Sequence, residues 1–200
     1  MPTTRDSILS AVRRNRPAKC AAPDINADWT TYADRRQQFV DVLTAVGGQA
    51  VYVRDLADLN AHLSRLPAYA NANIIASRVP GVGTPNVDLA SLTAPHELAD
   101  LDIAILPGRF AVAENAAVWV DDRDLPFRVI YFLCQHLVLV VPANEIVDHL
   151  HVAYDRLAGA FAKPSFGAFI SGPSKTADIE QSLVTGAHGP RSLTVFLLGD

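Results

Sequence analysis

The stretch His136-Leu137-Val138-Leu139-Val140-Val141 indicates the fold class, because an uninterrupted apolar run follows its first residue. A run of this length suits a strand better than a helix, and a strand without apolar–polar alternation is typically buried on both faces. The segments Ile74-Ile75 and Ile103–Leu106 have the same character. Strands of this kind occur mainly in parallel sheets that other elements cover on both sides.

Helices and strands alternate on either side of this stretch. Helices are predicted over Arg5–Arg14, Asp28–Val46 and Leu56–Leu66 (closed by Pro67), after a cap at Asn144, and from about Thr176. Strands are predicted at Gln49–Val53, Asn73–Ser77, Leu101–Leu106, His136–Val141, Gly167–Ile170 and Leu193–Leu198, with a hairpin at Phe110–Ala113 and Ala116–Val120. The pattern predicts an α/β fold, an open, mainly parallel sheet with helices on both faces and one β-hairpin. In such sheets ligands bind at the carboxyl ends of the strands, so we expect function there.

The composition fits a folded domain of moderate negative charge. Of the 200 residues, 50% are hydrophobic and 19% are charged, and the formal net charge is −4. We expect residues 1–27 to form an N-terminal helix and connector, and residues 28–200 to form the domain. The charge gives no reason to expect nucleic acid as a partner, and the longest apolar run, Leu137–Pro142, is too short to cross a membrane. Because no signal peptide is evident, the expected location is the cytoplasm.

The two cysteines, Cys20 and Cys134, lie far apart in the chain and form no Cys-x-x-Cys pair. Iron–sulfur clusters and structural zinc sites need several closely spaced thiolate or imidazole ligands. We therefore expect this chain to hold neither an iron–sulfur cluster of its own nor a metal ion. A local basic pocket for a small anionic ligand is compatible with the acidic total charge.

The segment 169–180 runs from an apolar strand through a Gly/Pro/Ser turn into a predicted helix. Backbone N–H groups at a helix start are unpaired and attract anions, so a phosphate or carboxylate fits there. Hydroxyl groups add hydrogen-bond donors and a lysine adds positive charge. The spacing is not that of a P-loop. The candidate ligand-binding residues are Ser171, Gly172, Ser174, Lys175 and Thr176.

The same segment also has a purely structural interpretation. Ser174 or Thr176 could simply cap its own helix. Asp178 and Glu180 in the first turn already complement the helix dipole and would repel a bound anion. The residues alone leave both interpretations open.

A second candidate segment, Thr185–Ser192, precedes the last predicted strand. Glycines near His188, among them Gly189, let the backbone approach a ligand closely, and the imidazole can transfer protons. Arg191 can pair with a carboxylate or phosphate. The alternative is a surface turn in which the histidine has no role.

Together these two segments resemble the closing motif of the LUD domain family. Residues 171–180 match the family pattern S-G-P-S-[KR]-T-A-D-I-E, and residues 186–190 match G-x-H-G-P, with the spacing preserved. A match over this many positions is much more specific than a short motif. The segment Leu133–Leu137 resembles the family's L-P-x-H-I, with His136 in common and Cys134 in place of proline. The resemblance extends from about Asp28 to the end of the chain.

The resemblance implies a fold similar to the NagB/RpiA/CoA-transferase group. It also implies an accessory subunit of an iron–sulfur-dependent system that oxidises L-lactate, in which partner proteins carry the clusters. The alternative is an enzyme or binding protein for a phosphorylated or acyl-activated anion, held by Lys175 and Arg191. An enzyme should bring Glu114, Lys175 and His188 together in a closed pocket, whereas a subunit should have a large apolar surface patch. Whether the chain is an enzyme by itself is left open.

Glu114 lies in the segment Ala113–Ala117, where the family has A-E-T-G-T. In part of the NagB/RpiA/CoA-transferase group a glutamate attacks an acyl-CoA. Glu114 is therefore a candidate nucleophile or base, and His188 is a second candidate for proton transfer. The alternative is that Glu114 and Asn115 form the two-residue turn of the hairpin, with Asn115 in the left-handed conformation.

Overall fold

The computed structural model describes residues 3–23, 27–123, 125–159, 166–176 and 183–199. Its helices within these ranges are α1 (Thr4–Arg14), α2 (Arg35–Ala45), α3 (Leu56–Leu63), α4 (Pro67–Ala70), α5 (Ile130–Leu133) and α6 (Leu150–Leu157), with a 3₁₀ helix at Pro95–Leu98. Its strands are β1 (Gln49–Val53), β2 (Ile75–Ser77), β3 (Ile103–Pro107), β4 (Phe110–Val112), β5 (Ala117–Asp121), β6 (His136–Pro142), β7 (Ile146–Val147), β8 (Gly167–Ile170), β9 (Lys175–Thr176), β10 (Val184–Thr185) and β11 (Ser192–Leu198). None of the helices in these ranges is long and apolar enough to cross a membrane.

The central element is a five-stranded parallel sheet in the order β1-β11-β6-β3-β2. Its middle strand, β6, is buried on both faces, as its apolar sequence predicts. Val138 and Val140 belong to the core cluster that contains residues of α3, whereas Leu137 and Leu139 belong to the cluster that contains residues of α2 and α5. The predicted α/β fold, the parallel sheet and the helices on both faces are therefore confirmed.

A second sheet, in the order β7-β4-β5-β8, packs against the parallel sheet and was not predicted as a separate layer. The predicted hairpin is confirmed as the antiparallel pair β4–β5 within it. The two sheets meet closely at Gly108, where an added Cβ would lie 2.5 Å from Val118 and 2.6 Å from Val141. Residues of α6, among them Leu157, cover the opposite face of the second sheet around Trp119.

The helix predicted over Asp28–Val46 is shorter, since α2 begins only at Arg35. The carboxylate of Asp34 caps it by accepting the N–H of Gln37 at 2.9 Å. The preceding chain is held away from a helical path, because the N–H of Tyr32 donates to Asp148 at 2.9 Å. The spacing of apolar residues along the chain cannot predict a long-range hydrogen bond of this kind.

Two further helix boundaries were predicted wrongly. The helix predicted over Leu56–Leu66 ends at Leu63, and Pro67 begins α4 instead of closing α3. Proline suits the first position of a helix, because the missing N–H would be unpaired there anyway. The helix predicted after Asn144 is also wrong, since Ile146 and Val147 form β7 beside β4 and α6 begins later.

The short helix predicted from about Thr176 is replaced at that residue by a two-stranded antiparallel ribbon. Thr176 pairs with Val184, and Lys175 pairs with Thr185. Asp178 and Glu180, which the sequence places in the first turn of the helix, lie outside the described residues. Lys175 and Thr176 themselves therefore belong to a strand and not to the start of a helix.

Candidate functional site

The two segments of the LUD-like motif come together in space. The ribbon β9–β10 joins them at one end. Ser174 then links to both sides of the second segment, because its N–H donates to the carbonyl of Pro190 and its carbonyl accepts the N–H of Gly186, each at 2.9 Å. The N–H of Arg191 donates to the carbonyl of Gln135 at 2.8 Å, which anchors the second segment to the chain just before β6.

A cavity of about 320 Å³ opens where the segments meet. Its lining includes several of the predicted ligand-binding residues from both segments. This volume lies at the lower end of the range of ligand pockets in proteins. The predicted residues that line it are Gly172, Ser174, Lys175, His188 and Gly189. We call this space the motif cavity.

The motif cavity also has an apolar wall that the sequence did not predict. Tyr131 and Phe132 come from α5, and their place within an apolar run makes them indistinguishable from core residues. Tyr131 is in fact buried, whereas Phe132 is 40% exposed. Besides Pro173 and Pro190, the apolar and aromatic residues that line the cavity are Tyr131, Phe132, Leu137, Phe169, Ile170 and Leu193.

The polar side chains of the motif cavity are closely spaced. The Nδ1 atom of His188 lies 3.5 Å from the hydroxyl of Thr176, which is long for a hydrogen bond. Gly189 lies against Ser174, since an added Cβ would be 3.1 Å from the Cβ of Ser174. The ammonium group of Lys175 lies beside Gly47, and its Nζ atom is 3.6 Å from the position that a Cβ atom would occupy on that glycine. The absence of a side chain at Gly189 thus makes room for Ser174.

The motif cavity lies at the amino ends of β6 and β11, because Leu137 and Leu193 are the second residues of those strands. We expected ligand-binding loops at the carboxyl ends, as in most open α/β sheets. The second sheet accounts for the difference. Its strand β8 ends at Ile170 and delivers the Gly172–Lys175 segment to the amino edge of the parallel sheet.

Three predicted ligand-binding residues, Ser171, Thr176 and Arg191, lie outside the lining of the motif cavity. The hydroxyl of Ser171 donates to the carbonyl of Asn115 at 2.6 Å, so it ties the motif to the β4–β5 loop. Arg191 lies on the side of His136, where its charge adds to burial in lowering the pKa of that imidazole. Thr176 reaches the cavity only through its contact with His188.

Glu114 does not line the motif cavity either. Its carboxylate accepts the N–H of Leu150 at 3.0 Å and so caps the first turn of α6. The connection between β4 and β5 is a four-residue loop, because Val112 pairs with Ala117. Ala116, with a φ of 54°, and not Asn115, takes the left-handed conformation predicted for the turn. The loop thus supports α6, and Glu114 and His188 do not converge.

A second cavity, of about 300 Å³, adjoins the motif cavity along the amino edge of the parallel sheet, and Leu137 and Leu193 line both. His136 and Ser192, which pair in register as the first residues of β6 and β11, line this second cavity. The Nδ1 atom of His136 lies 2.8 Å from the hydroxyl of Ser192.

Two carboxylates outside the cavities hold structural ion pairs. Asp148 pairs with Arg35 at 2.8 Å, and Asp121 pairs with Arg109 at 2.9 Å. Burial opposes ionisation of both acids, but the N–H of Tyr32 together with Arg35 lowers the pKa of Asp148, and arginine partners lower that of Asp121. In the described part of the chain, no group of three or more His, Cys, Asp or Glu side chains is arranged to hold a metal ion.

Comparison with known families agrees with the motif. The family model described as LUD domain matches residues 36–198. The chain belongs to the LUD domain family. The resemblance inferred from the two motif segments is therefore confirmed, and the matched region of the LUD domain includes both segments and the parallel sheet.

Several relatives of this LUD domain protein carry the name lactate utilization protein C. The protein of that name from Geobacillus thermodenitrificans (strain NG80-2) is 28% identical over 98% of this chain and 80% of its own length. The one from Bacillus subtilis (strain 168) is 25% identical over 96% of this chain and 79% of its own length. A crystal structure of a DUF162 family protein from Deinococcus radiodurans has the same fold, with a TM-score of 0.61 and 19% identity over 82% of this chain and 96% of that chain.

Proposed function

We propose that this LUD domain protein takes part in lactate utilisation as an accessory subunit of an iron–sulfur-dependent system that oxidises L-lactate. The family and the name shared by its relatives support the pathway. The observation that carries the assignment of a site is the convergence of both motif segments on one cavity. In this proposal the motif cavity binds a small anionic ligand, and Lys175 supplies the charge.

The proposal assigns the iron–sulfur clusters to partner proteins. A cluster in a protein is usually held by four cysteine thiolates, whereas this chain has two cysteines. One of them, Cys134, is buried, and burial raises the pKa of its thiol to about 12, which disfavours the thiolate that binds iron. A cytoplasmic location stays a prediction from the sequence.

The alternative function, an enzyme for a phosphorylated or acyl-activated anion, required Glu114, Lys175 and His188 in one pocket. Lys175 and His188 line the motif cavity, but the carboxylate of Glu114 caps α6. An enzyme working in this cavity would therefore depend on His188 for proton transfer. We prefer the accessory role, because Glu114 lies outside the lining and no other carboxylate from the described residues lines the cavity beside His188.

Growth on L-lactate tests the proposal. We expect a strain that lacks this gene to grow on pyruvate but not on L-lactate as the only carbon source. The wild-type gene should restore growth on L-lactate, whereas Lys175→Met, which removes the charge but keeps most of the side chain, should not. Lys19→Met is the matched control, because Lys19 is exposed and lies far from the motif in the sequence. Normal growth of the deletion strain on L-lactate would refute the role.

A further inference from the structure

We propose that the motif cavity binds an aromatic acid, a planar ring that carries a carboxylate or a similar anionic group, and not lactate itself. This inference rests on the proposed function only in using the same cavity as a ligand site. It concerns the kind of ligand, and it follows from how polar and apolar residues are distributed around the cavity.

The polar groups lie on the motif segments. Ser174, Lys175 and His188 line the cavity and carry a hydroxyl, an ammonium group and an imidazole, and the ammonium group lies at Gly47, on the side of the second cavity. An ammonium group and a hydroxyl together suit an anionic group of a ligand, since hydrogen bonds between charged groups are the strong ones. No carboxylate from the described residues lines this cavity. An anion therefore fits one end of the ligand.

The remaining wall is aromatic and aliphatic. Phe132 and Phe169 contribute rings, and Leu137, Ile170 and Leu193 contribute aliphatic groups. Tyr131 adds only its ring, because its hydroxyl donates to the carbonyl of Asp121 at 3.0 Å. Removing apolar surface of this extent from water favours a ligand with a matching apolar body.

Phe132 supplies a further argument for a ring. Its side chain is 40% exposed although it borders the buried Tyr131. It already contacts the ring of Phe166 edge-on, with centroids 6.2 Å apart. Aromatic rings gain additional attraction from stacked or edge-on contacts with another ring, so a planar ligand would use this surface better than an aliphatic one.

Lactate matches the polar end of the cavity but not its wall. It has a single methyl group to place against residues that line a volume of about 320 Å³. Binding of lactate would leave most of the apolar wall in contact with water. An aromatic acid fills both parts of the cavity, so we expect it to bind more tightly than lactate.

Calorimetric titrations of the full chain with three probes separate the contributions of charge and ring. The probe 2-naphthoate has both a negative charge and an aromatic ring system. The probe 2-naphthamide has the ring system without the charge, and L-lactate has the charge without a ring. We expect 2-naphthoate to bind at least about tenfold more tightly than either of the others. Lys175→Met should weaken 2-naphthoate by about tenfold or more and leave 2-naphthamide unchanged. Phe132→Ala should weaken both naphthalene probes by about three- to tenfold. Lys19→Met should change none of the affinities.

The inference is overturned if L-lactate binds as tightly as 2-naphthoate, if 2-naphthoate does not bind, or if Lys175→Met leaves its affinity unchanged. Circular dichroism of each variant shows whether it is folded. A second variant, His188→Gln, tests the same polar end if Lys175→Met is not folded, and it should weaken 2-naphthoate selectively. Growth on L-lactate is measured separately, so a failure of the ligand class and a failure of the physiological role can be told apart.

Discussion

Substitution of Gly172 by alanine should destabilise the protein, because this glycine is a close contact between the motif and the end of α2. Its φ is +78°, and an added Cβ would lie 3.0 Å from the Cγ2 atom and 3.1 Å from the carbonyl oxygen of Val46. The left-handed conformation costs alanine about 1 kcal/mol or somewhat more. Crowding against a backbone carbonyl adds roughly 1–3 kcal/mol, since the backbone at the end of a packed helix has little room to move.

The free energy of unfolding of Gly172→Ala should therefore fall by about 2–4 kcal/mol. For a chain of this size, such a loss lowers the melting temperature by roughly 4–16 °C. Urea unfolding and thermal melts measure both quantities. Gly159→Ala is the matched control, because an added Cβ there meets no atom of the described residues within 4 Å. A Gly172→Ala protein that melts within about 2 °C of the wild type would refute the contact between the motif and Val46.

Three further predictions concern titratable groups. Dithionitrobenzoate at pH 8 should modify only the thiol of the exposed Cys20 in the native protein, and both thiols after denaturation. Cys134 is protected because burial raises the pKa of its thiol to about 12. Rapid modification of both thiols in the native protein would contradict this burial. Burial and a neighbouring guanidinium lower the pKa of His136, so as the pH falls below about 6.5 the unfolded chain binds a proton before the native one does. Stability in urea should fall from that pH downwards, and less so in His136→Asn. Asp148→Ala should lower the free energy of unfolding by about 2 kcal/mol at pH 7, because it leaves the N–H of Tyr32 and the guanidinium of Arg35 without their carboxylate. The pKa of Asp148 is lowered in the native protein, so the wild type loses this stability as the pH falls below about 4. In urea titrations the difference between wild type and variant should therefore shrink below that pH.

The parallel sheet was predictable because the apolar composition of a single strand already indicates that the strand is buried on both faces. The apolar run of β6 and the short run in β3 indicate both the strand and its surroundings without any knowledge of neighbours. The ranges Gln49–Val53 and Gly167–Ile170 were predicted with the observed bounds. Local patterns of this kind depend only on residues close in sequence, which is why they succeed.

The second sheet and the helix boundaries depend on residues far apart in the chain. Ile146 and Val147 have helical spacing with Leu150, yet they pair with β4. Tyr32 has helical spacing within the predicted helix Asp28–Val46, yet it precedes α2 and its N–H donates to Asp148. In both cases tertiary hydrogen bonds outweigh a local preference, and no periodicity can predict them.

The candidate site was predictable in part for a related reason. Both motif segments were identified because they match a long family pattern with its spacing preserved, and Lys175 and His188 do line one cavity. The aromatic wall was missed, since Phe132 and Phe169 lie in segments whose composition is that of the core. The sequence also did not indicate that Glu114 caps α6, because this role depends on a contact with Leu150, far along the chain.

The most direct test of the convergence of the two motif segments is a disulfide between them. Ser174→Cys with Gly189→Cys, in a Cys20→Ser background, places two thiols where the Cβ atoms would lie 3.1 Å apart, a few tenths of an ångström below the separation that a disulfide takes. Under mild oxidation we expect one cross-link between residues 174 and 189, seen by peptide mapping without reduction, while Ser171→Cys with Gly189→Cys should stay reduced. If the engineered thiols at residues 174 and 189 stay free in folded protein, the two segments do not form one cavity.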